Sequence, residues 1–150
     1  MSTVLIIHHT PSPATRELLE AVLAGTRDPE IIGIDVVVRP ALAATVTDML
    51  DADGYIFGTP ANFGYMSGAL KHFFDTVYYP VLDYVANRPY GLWVHGNNDT
   101  AGAVSAVDRI AGGLSLVRSA DVLEVSGVID GAVRQRAYEL GGTLAAIVMK

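Results

Sequence analysis

The sequence predicts a single α/β domain over residues 1–150, with a five-stranded parallel sheet covered by helices on both faces. Five short apolar segments alternate along the chain with segments in which apolar residues recur at helical spacing. A chain of 150 residues, of which 51% are hydrophobic, is large and apolar enough to bury one core. No internal repeat, low-complexity tract or linker divides it.

The first predicted strand is an unbroken apolar run, which is typical of a strand buried on both faces, and the other four are short segments rich in apolar residues. The five strands cover residues 4–7, 34–38, 54–58, 91–95 and 122–125. Between the first two strands, an apolar stripe over residues 18–23 predicts a helix that ends at Gly25. The same spacing predicts helices over residues 41–53, 67–77, 103–110 and 133–147.

The composition excludes several functional classes. The chain has no cysteine, which rules out disulfide scaffolds, thiolate zinc sites, iron–sulfur clusters and a cysteine nucleophile. The formal charge of -6 argues against nucleic acid as a partner. No apolar run reaches the roughly 18 residues of a membrane helix. The first residues lack the basic region of a signal peptide, so we expect a cytoplasmic protein with no membrane partner. The four histidines show no metal-ligand spacing, so we expect no metal site.

Three polar connections follow the first, third and fourth predicted strands, and they cover residues 9–16, 58–68 and 95–100. Ligands of parallel sheets bind beyond the carboxyl ends of the strands, where these connections meet. In the first, hydroxyls at a helix N-terminus suit a phosphate, although Ser12 and Pro13 also suit an ordinary helix start. In the second, Phe63 and Tyr65 either contact a flat ligand or pack onto the domain or into a dimer interface. The third is either an ordinary Asx-rich turn or a binding loop.

Two segments carry a resemblance to a known superfamily. Thr-Pro-Ser-Pro-Ala-Thr at residues 10–15 resembles the flavodoxin phosphate loop, whose pattern is Ser/Thr-x-Thr-Gly-x-Thr. Residues 51–75 resemble the equivalent stretch of the NAD(P)H-dependent FMN reductase and WrbA-like quinone reductase branch, and Asn-Arg-Pro at 87–89 is similar to its Gly-Lys-Pro. The resemblance implies a flavodoxin-like three-layer sandwich with strand order 2-1-3-4-5. It also implies FMN as cofactor, NAD(P)H as electron donor and a quinone or flavin as acceptor.

The resemblance assigns each connection to one part of FMN. The phosphate is implied at Thr10, Ser12, Ala14 and Thr15. The isoalloxazine ring and ribityl chain are implied at Pro60, Ala61, Asn62, Phe63, Gly64 and Tyr65. The pyrimidine side of the ring is implied at His95, Gly96, Asn97, Asn98 and Asp99. The chain departs from the family at Pro13, where the phosphate loop has glycine, and at Asn62, where the WrbA-like pattern has arginine. Pro11 and Pro13 both lack an N–H donor, so we expect a weakly held FMN.

The favoured interpretation is an oxidoreductase that passes hydride from NAD(P)H to flavin N5 and electrons onward to an acceptor. It needs no catalytic side chain, because FMN supplies the chemistry. Two alternatives remain: a flavodoxin-like electron carrier without nicotinamide turnover, and an interaction module of this fold that has lost FMN. Low charge and a mean hydropathy of +0.35 favour a homodimer, for which the aromatic segment around Tyr78, Tyr79 and Tyr84 is the expected contact.

Overall fold

The computed structural model describes residues 1–149. Its strands are β1 (Ser2–His8), β2 (Ile34–Pro40), β3 (Gly54–Asn62), β4 (Tyr65–Met66), β5 (Pro89–His95), β6 (Val117–Arg118) and β7 (Leu123–Val125). Its helices are α1 (Pro13–Thr26), α2 (Val46–Asp51), α3 (Gly68–Val81), α4 (Thr100–Gly113) and α5 (Gly131–Val148). None of the helices in this described range is long and apolar enough to cross a membrane.

The sheet confirms the predicted α/β flavodoxin-like architecture. Its strands run in the order β2-β1-β3-β5-β6, and β7 pairs with β5 farther along the same edge. All of these pairs are parallel. The fifth position of the predicted 2-1-3-4-5 order is therefore shared by two short strands. Residues 117–118 pair with the beginning of β5, and residues 123–125 pair with its end.

Two hydrophobic clusters cover the two faces of the sheet and make the three layers. Alternate residues of β1 divide between them: Leu5 and Ile7 join the cluster that contains α3 and α4 residues. Val4 and Ile6 join the cluster that contains α1 and α5 residues. All four side chains are fully buried, as their unbroken apolar run predicts.

Every helix begins at a side chain that caps it. In each case an oxygen of the capping side chain accepts a hydrogen bond from the backbone N–H three residues later, which satisfies a donor that the helix leaves free. The capping residues are Ser12, Thr45, Ser67, Asp99 and Asp130. Each of the five helices follows the end of a strand after a short connection.

Two sequence-based expectations were wrong in detail. The short helix expected over residues 41–53 covers only Val46–Asp51, because residues 41–43 form a turn and the Ala41 N–H donates to the His8 carbonyl at 2.7 Å. Residues 58–68 are not one long loop. β3 continues to Asn62 and turns back into β4, so this segment is a β-hairpin that leads into α3.

Candidate functional site

The three polar connections lie along the carboxyl edge of the sheet. The first follows β1 and leads into α1, the hairpin ends β3, and the third follows β5 and leads into α4. β1 and β3 are neighbours at the centre of the sheet. From β1 the chain continues to β2 on one side, and it then returns to β3 on the other side, so the strand order reverses between β1 and β3. This is the position at which open α/β sheets bind their ligands.

The start of α1 is closed by hydrogen bonds between its own residues. The Thr15 N–H donates to Ser12 Oγ at 3.2 Å, and the Ser12 N–H donates to Thr15 Oγ1 at 3.1 Å. Pro13 has no N–H to offer. Of the first four positions of the helix, Ala14 therefore carries the one N–H that has no partner within residues 1–149. The predicted residues Ser12, Ala14 and Thr15 come together here, and the hydroxyls of Ser12 and Thr15 already take part in hydrogen bonds within this group.

Thr10, the remaining predicted residue of this connection, is held by a histidine. His8 Nδ1 and Thr10 Oγ1 lie 3.1 Å apart, and both side chains are half-buried. The next residue, His9, donates its backbone N–H to the Gly58 carbonyl at 2.9 Å, which ties the first connection to β3.

The hairpin presents an aromatic side chain to solvent at its tip. Ala61 pairs with Met66 and Asn62 pairs with Tyr65, which leaves Phe63 and Gly64 as a two-residue turn. Both turn residues have positive φ, 53° and 70°, as a type I′ turn requires. A left-handed conformation is unfavourable for a residue as large as phenylalanine. Phe63 is nevertheless fully exposed, so its ring does not pack onto the domain, whereas Tyr65 is only partly exposed.

The hairpin is braced from both sides. At its base, the Ser67 N–H donates to Thr59 Oγ1 at 3.0 Å. At its tip, a Cβ on Gly102 of α4 would overlap the Gly64 carbonyl, so only glycine allows α4 to approach so closely. The Asp99 carboxylate lies beside the Cα of Gly64 and accepts the Gly102 N–H at 3.0 Å. The hairpin and the N-terminus of α4 therefore form one connected unit.

The third connection joins this unit to the far edge of the sheet. A Cβ on Gly96 would lie 2.8 Å from the Ala61 Cβ, so the connection runs directly against the hairpin. The Gly96 N–H donates to the Val125 carbonyl at 3.0 Å, and the His95 ring bonds the Gly127 carbonyl at 2.8 Å. Asn97, Asn98 and Asp99 are exposed. The structure thus brings the predicted hairpin residues 60–65 into contact with the predicted residues 95–99.

A family model described as NADPH-dependent FMN reductase matches residues 13–127. The chain belongs to this family. The match includes α1, the whole hairpin and the third connection, and it begins after the first three residues of the 10–15 segment.

Individual relatives of this NADPH-dependent FMN reductase family member carry two kinds of name. A flavodoxin from Aquifex aeolicus is 39% identical over 77 residues, which are 51% of this chain and 40% of that protein. An NAD(P)H dehydrogenase (quinone) from Geobacter sulfurreducens is 31% identical over 116 residues, with 63% of this chain and 51% of that protein covered. The chain therefore spans about half or less of the length of these curated relatives.

Solved structures similar to this family member agree on the fold. A flavodoxin from Streptococcus pneumoniae superposes with a TM-score of 0.80 at 21% identity and covers 98% of this chain and 100% of that one. A WrbA-like protein from Agrobacterium tumefaciens gives 0.77 at 16% identity, with coverage of 99% and 98%. At such low identity these similarities establish the flavodoxin-like fold alone.

Sequence reasoning missed one connection of this edge. Residues 126–130 follow β7 and lead into α5, and the His95 ring bonds their backbone. The signal that was available is the same rule that selected the other three, since this connection also follows the carboxyl end of a strand.

The pKa of His8 leads to a testable pH dependence. Burial, followed by the adjacent charge of His9, lowers the pKa of the His8 imidazole from its ordinary value of 6.5. The unfolded chain therefore binds a proton at His8 more readily than the folded chain does. It follows that stability falls as the pH drops through the range just below 6.5 and is restored above it.

We expect His8→Gln to remove this part of the pH dependence. Urea unfolding of both proteins at about pH 7.5 and about pH 5 measures the effect, and wild type should lose more unfolding free energy on acidification than the variant. His72→Gln, on the exposed face of α3, controls for the loss of an imidazole. Equal losses in wild type and His8→Gln would contradict the assignment.

Proposed function

We propose that the protein binds FMN at the carboxyl edge of its sheet and acts as an NAD(P)H-dependent oxidoreductase with a quinone or a flavin as acceptor. The observation that carries the proposal is the family match over residues 13–127, which includes the aromatic-tipped hairpin and the third connection braced against it. The chain matches only part of its curated relatives, so the activity and the reactants are inferences from the family and the site.

The donor set at the start of α1 fits the phosphate of FMN. Hydroxyls of Thr10, Ser12 and Thr15 and the N–H of Ala14 lie at the positive end of the helix, where an anion is favoured. Ser12 Oγ and Thr15 Oγ1 bond each other at 2.9 Å, so binding a phosphate would exchange this bond for bonds to phosphate oxygens. This exchange, together with the missing donors at Pro11 and Pro13, supports an FMN that is bound weakly.

The hairpin and the third connection suit the ring end of FMN. Exposed Phe63 and Tyr65 offer apolar surface to a flat ligand, and the backbone N–H groups near Gly64 and Asn97 are the proposed donors to its polar edge. The residues proposed to hold the ring and its ribityl chain are Pro60, Ala61, Asn62, Phe63, Gly64, Tyr65, His95, Gly96, Asn97, Asn98 and Asp99.

The protein's own contribution to the reaction is binding and orientation. Bound FMN supplies the hydride chemistry at its N5 atom. Across the whole reaction, NAD(P)H loses a hydride from its nicotinamide ring and becomes NAD(P)⁺. A quinone gains that hydride's two electrons and proton, together with one solvent proton, and becomes a hydroquinone. The hairpin and the third connection would hold the ring at an exposed edge of the domain, where these reactants can reach it.

An anaerobic titration tests whether the protein is a reductase. We expect NADPH or NADH to bleach the visible absorbance of the FMN-loaded protein, and added menadione, a small naphthoquinone, to restore it. The second candidate is an electron carrier, which the similarity to a flavodoxin over about half of the chain favours. A carrier would keep its FMN, yet neither nicotinamide would bleach it, and that result would contradict the proposed enzyme.

Restoring a donor in the phosphate loop should tighten FMN binding. Pro13→Ala adds an N–H at the first position of α1, and we expect the dissociation constant of FMN to fall roughly 3- to 10-fold, the value of one added hydrogen bond. Quenching of the Trp93 fluorescence by FMN measures the constant, since the chain has one tryptophan. Pro89→Ala, at the opposite edge of the sheet, is the matched control. Unchanged affinity in Pro13→Ala would argue against phosphate binding at α1.

We also propose that the protein is a homodimer. Tyr79 and Tyr84 are exposed near the C-terminal end of α3, and Tyr79 packs edge-on against Tyr78. Exposed aromatic rings that lie this close together in the chain favour a contact between subunits. Sedimentation velocity at micromolar concentration should give a dimer, and Tyr79→Ser combined with Tyr84→Ser should give a monomer. A monomeric wild-type protein would refute the proposal.

A further inference from the structure

His8 ends β1 on the face of the sheet that α1 covers. Side chains alternate along a strand, and Val4 and Ile6 belong to the cluster that contains α1 and α5 residues, so His8 points to the same face. Ala14, in the first turn of α1, packs against that cluster. The imidazole and the start of α1 therefore lie on one face of the sheet, at the carboxyl end of β1.

One hydrogen bond joins the imidazole to the first connection. His8 Nδ1 and Thr10 Oγ1 lie 3.1 Å apart, and within residues 1–149 this is the one bond of the Thr10 hydroxyl. In the neutral ring, Nδ1 can accept the proton of that hydroxyl. In the protonated ring, Nδ1 can only donate, so the hydroxyl accepts from His8 and its own proton is available to a third group. The protonation state of His8 therefore decides what Thr10 offers to a ligand.

The first connection has few other donors for an anion. Pro11 and Pro13 have no N–H. Ser12 Oγ and Thr15 Oγ1 bond each other at 2.9 Å. Within residues 1–149, Ala14 carries the one N–H of the first helical turn that has no partner. A hydroxyl that donates outward would add a second donor, and a protonated imidazole would add a positive charge.

The charges around His8 leave this effect to the imidazole itself. Its partners in register, Pro40 of β2 and Gly58 of β3, do not titrate. Burial and, after it, the charge of the adjacent His9 lower the pKa of the His8 imidazole. A phosphate at the start of α1 acts in the opposite direction, because a nearby anion favours the charged ring. The other charged side chains on β2 and at the starts of α1 and α5 are exposed: Asp35, Arg39, Arg16, Glu17, Asp130 and Arg134.

We propose that His8 is a positioning residue for the phosphate of FMN, and that the protein takes up a proton at His8 when this phosphate binds. This inference rests on the proposed function. The protonated imidazole donates to Thr10 Oγ1, and the Thr10 hydroxyl then donates to a phosphate oxygen. The proton comes from solvent and stays on the ring while the anion is bound. His8 thereby contributes to a preference for FMN over riboflavin, which has the same ring system without a phosphate.

The ratio of FMN affinities between wild type and His8→Gln tests the proposal. Quenching of the Trp93 fluorescence gives the dissociation constants at about pH 6 and about pH 8. We expect His8→Gln to bind FMN roughly 5- to 10-fold more weakly than wild type at pH 6, since a neighbouring anion raises a histidine pKa by about one unit or more. At pH 8 the two proteins should bind FMN about equally. The ionisation of the FMN phosphate is common to both proteins, so it cancels in the ratio.

Three controls separate the phosphate, the hydroxyl and the charge. Riboflavin should bind wild type and His8→Gln equally at both pH values, because it carries no phosphate. Thr10→Val keeps the shape of the side chain without its hydroxyl, and it should reproduce the loss of FMN affinity at pH 6. His9→Gln is the matched control, because the His9 ring makes no hydrogen bond within the described residues, and it should lose less than about twofold. Circular dichroism at both pH values checks that each variant is folded.

Each outcome decides the proposal. A loss of FMN affinity at pH 6 in both His8→Gln and Thr10→Val, but not in His9→Gln, supports it. A His8→Gln ratio that is the same at both pH values, or that riboflavin reproduces, overturns it and leaves the proposed function standing, because FMN is still bound. A loss in His9→Gln as large as in His8→Gln, or none in Thr10→Val, overturns the positioning role. Wild-type protein that binds neither flavin contradicts the proposed function itself.

Discussion

Gly141→Ala is expected to lower the free energy of unfolding by about 3 kcal/mol or more, a large effect for one methyl group. α1 and α5 pack closely through small residues, and a Cβ on Gly141 would overlap the carbonyl oxygen of Val22 in the facing helix. That oxygen belongs to the backbone, so it cannot rotate away as a side chain would. The two helices must separate, and the apolar cluster between them then loses packing.

Gly112→Ala is the matched control for this variant. Gly112 also lies within a helix, α4, but a Cβ there meets nothing within 4 Å. The substitution should therefore stabilise the protein by about 0.5 kcal/mol through helix propensity and the loss of unfolded-state freedom. Urea unfolding followed by circular dichroism measures both variants. Similar free energies for Gly141→Ala and Gly112→Ala would contradict the close approach of α1 and α5.

Gly58→Ala is expected to have the second largest effect, with a loss of about 2 to 3 kcal/mol. Gly58 of β3 pairs with Trp93 of β5, and the indole lies across the glycine where a Cβ would overlap the ring. Trp93 is fully buried, as its place in a central strand predicts, and its Nε1 has no partner within the described chain. A displaced indole has little room to move, because it is packed into the α1 and α5 cluster.

The lone tryptophan reports this displacement directly. Emission from Trp93 should shift to the red in Gly58→Ala as the ring gains contact with water. Gly91→Ala is the control, since a Cβ there lies 2.8 Å from Leu140 Cδ1 and 2.9 Å from Leu144 Cδ2, the ends of flexible side chains. Gly91→Ala should leave the emission unchanged. An unshifted spectrum in Gly58→Ala would show that the indole does not cover Gly58.

The central strands were predicted well, because burial on both faces requires apolar residues at consecutive positions. Val4 to Ile7 and Gly91 to His95 lie inside the observed β1 and β5. Two-residue strands carry no such signal, so β4 and β6 were missed. For α2, Thr45 followed by Asp48 is a capping box that marks its true start, and the apolar residues at 41–44 obscured it.

The hairpin could not be predicted with the usual turn signature. Type I′ hairpins usually carry Asn-Gly or Asp-Gly, whereas this one has Phe63 and Gly64. Pro60 also argues against a strand, because it lacks the N–H of a ladder partner, yet it lies opposite His95 in β5. The turn is stabilised instead by contacts with α4 at Gly102 and Asp99, which are distant in sequence.

The individual residues of the site were easier to predict than the contacts between them. The rule that ligands bind beyond strand ends selected Thr10 to Thr15, the hairpin and the residues after β5 without any coordinates. The bond from His95 to Gly127 depends on a parallel pairing of β5 and β7, which no local pattern encodes. The FMN-binding roles of all these residues stay predictions.

Flavin retention tests the central claim most directly. The protein is incubated with excess FMN and desalted, and the flavin that stays bound is released and quantified against chain concentration. FMN binding at the carboxyl edge predicts that FMN quenches the Trp93 fluorescence with a stoichiometry of one FMN for each chain, and that desalting leaves part of this weakly held flavin bound. Anaerobic NADPH should then bleach the flavin that stays bound. Protein that retains no flavin, and whose Trp93 fluorescence does not respond to FMN at any concentration, would contradict the account.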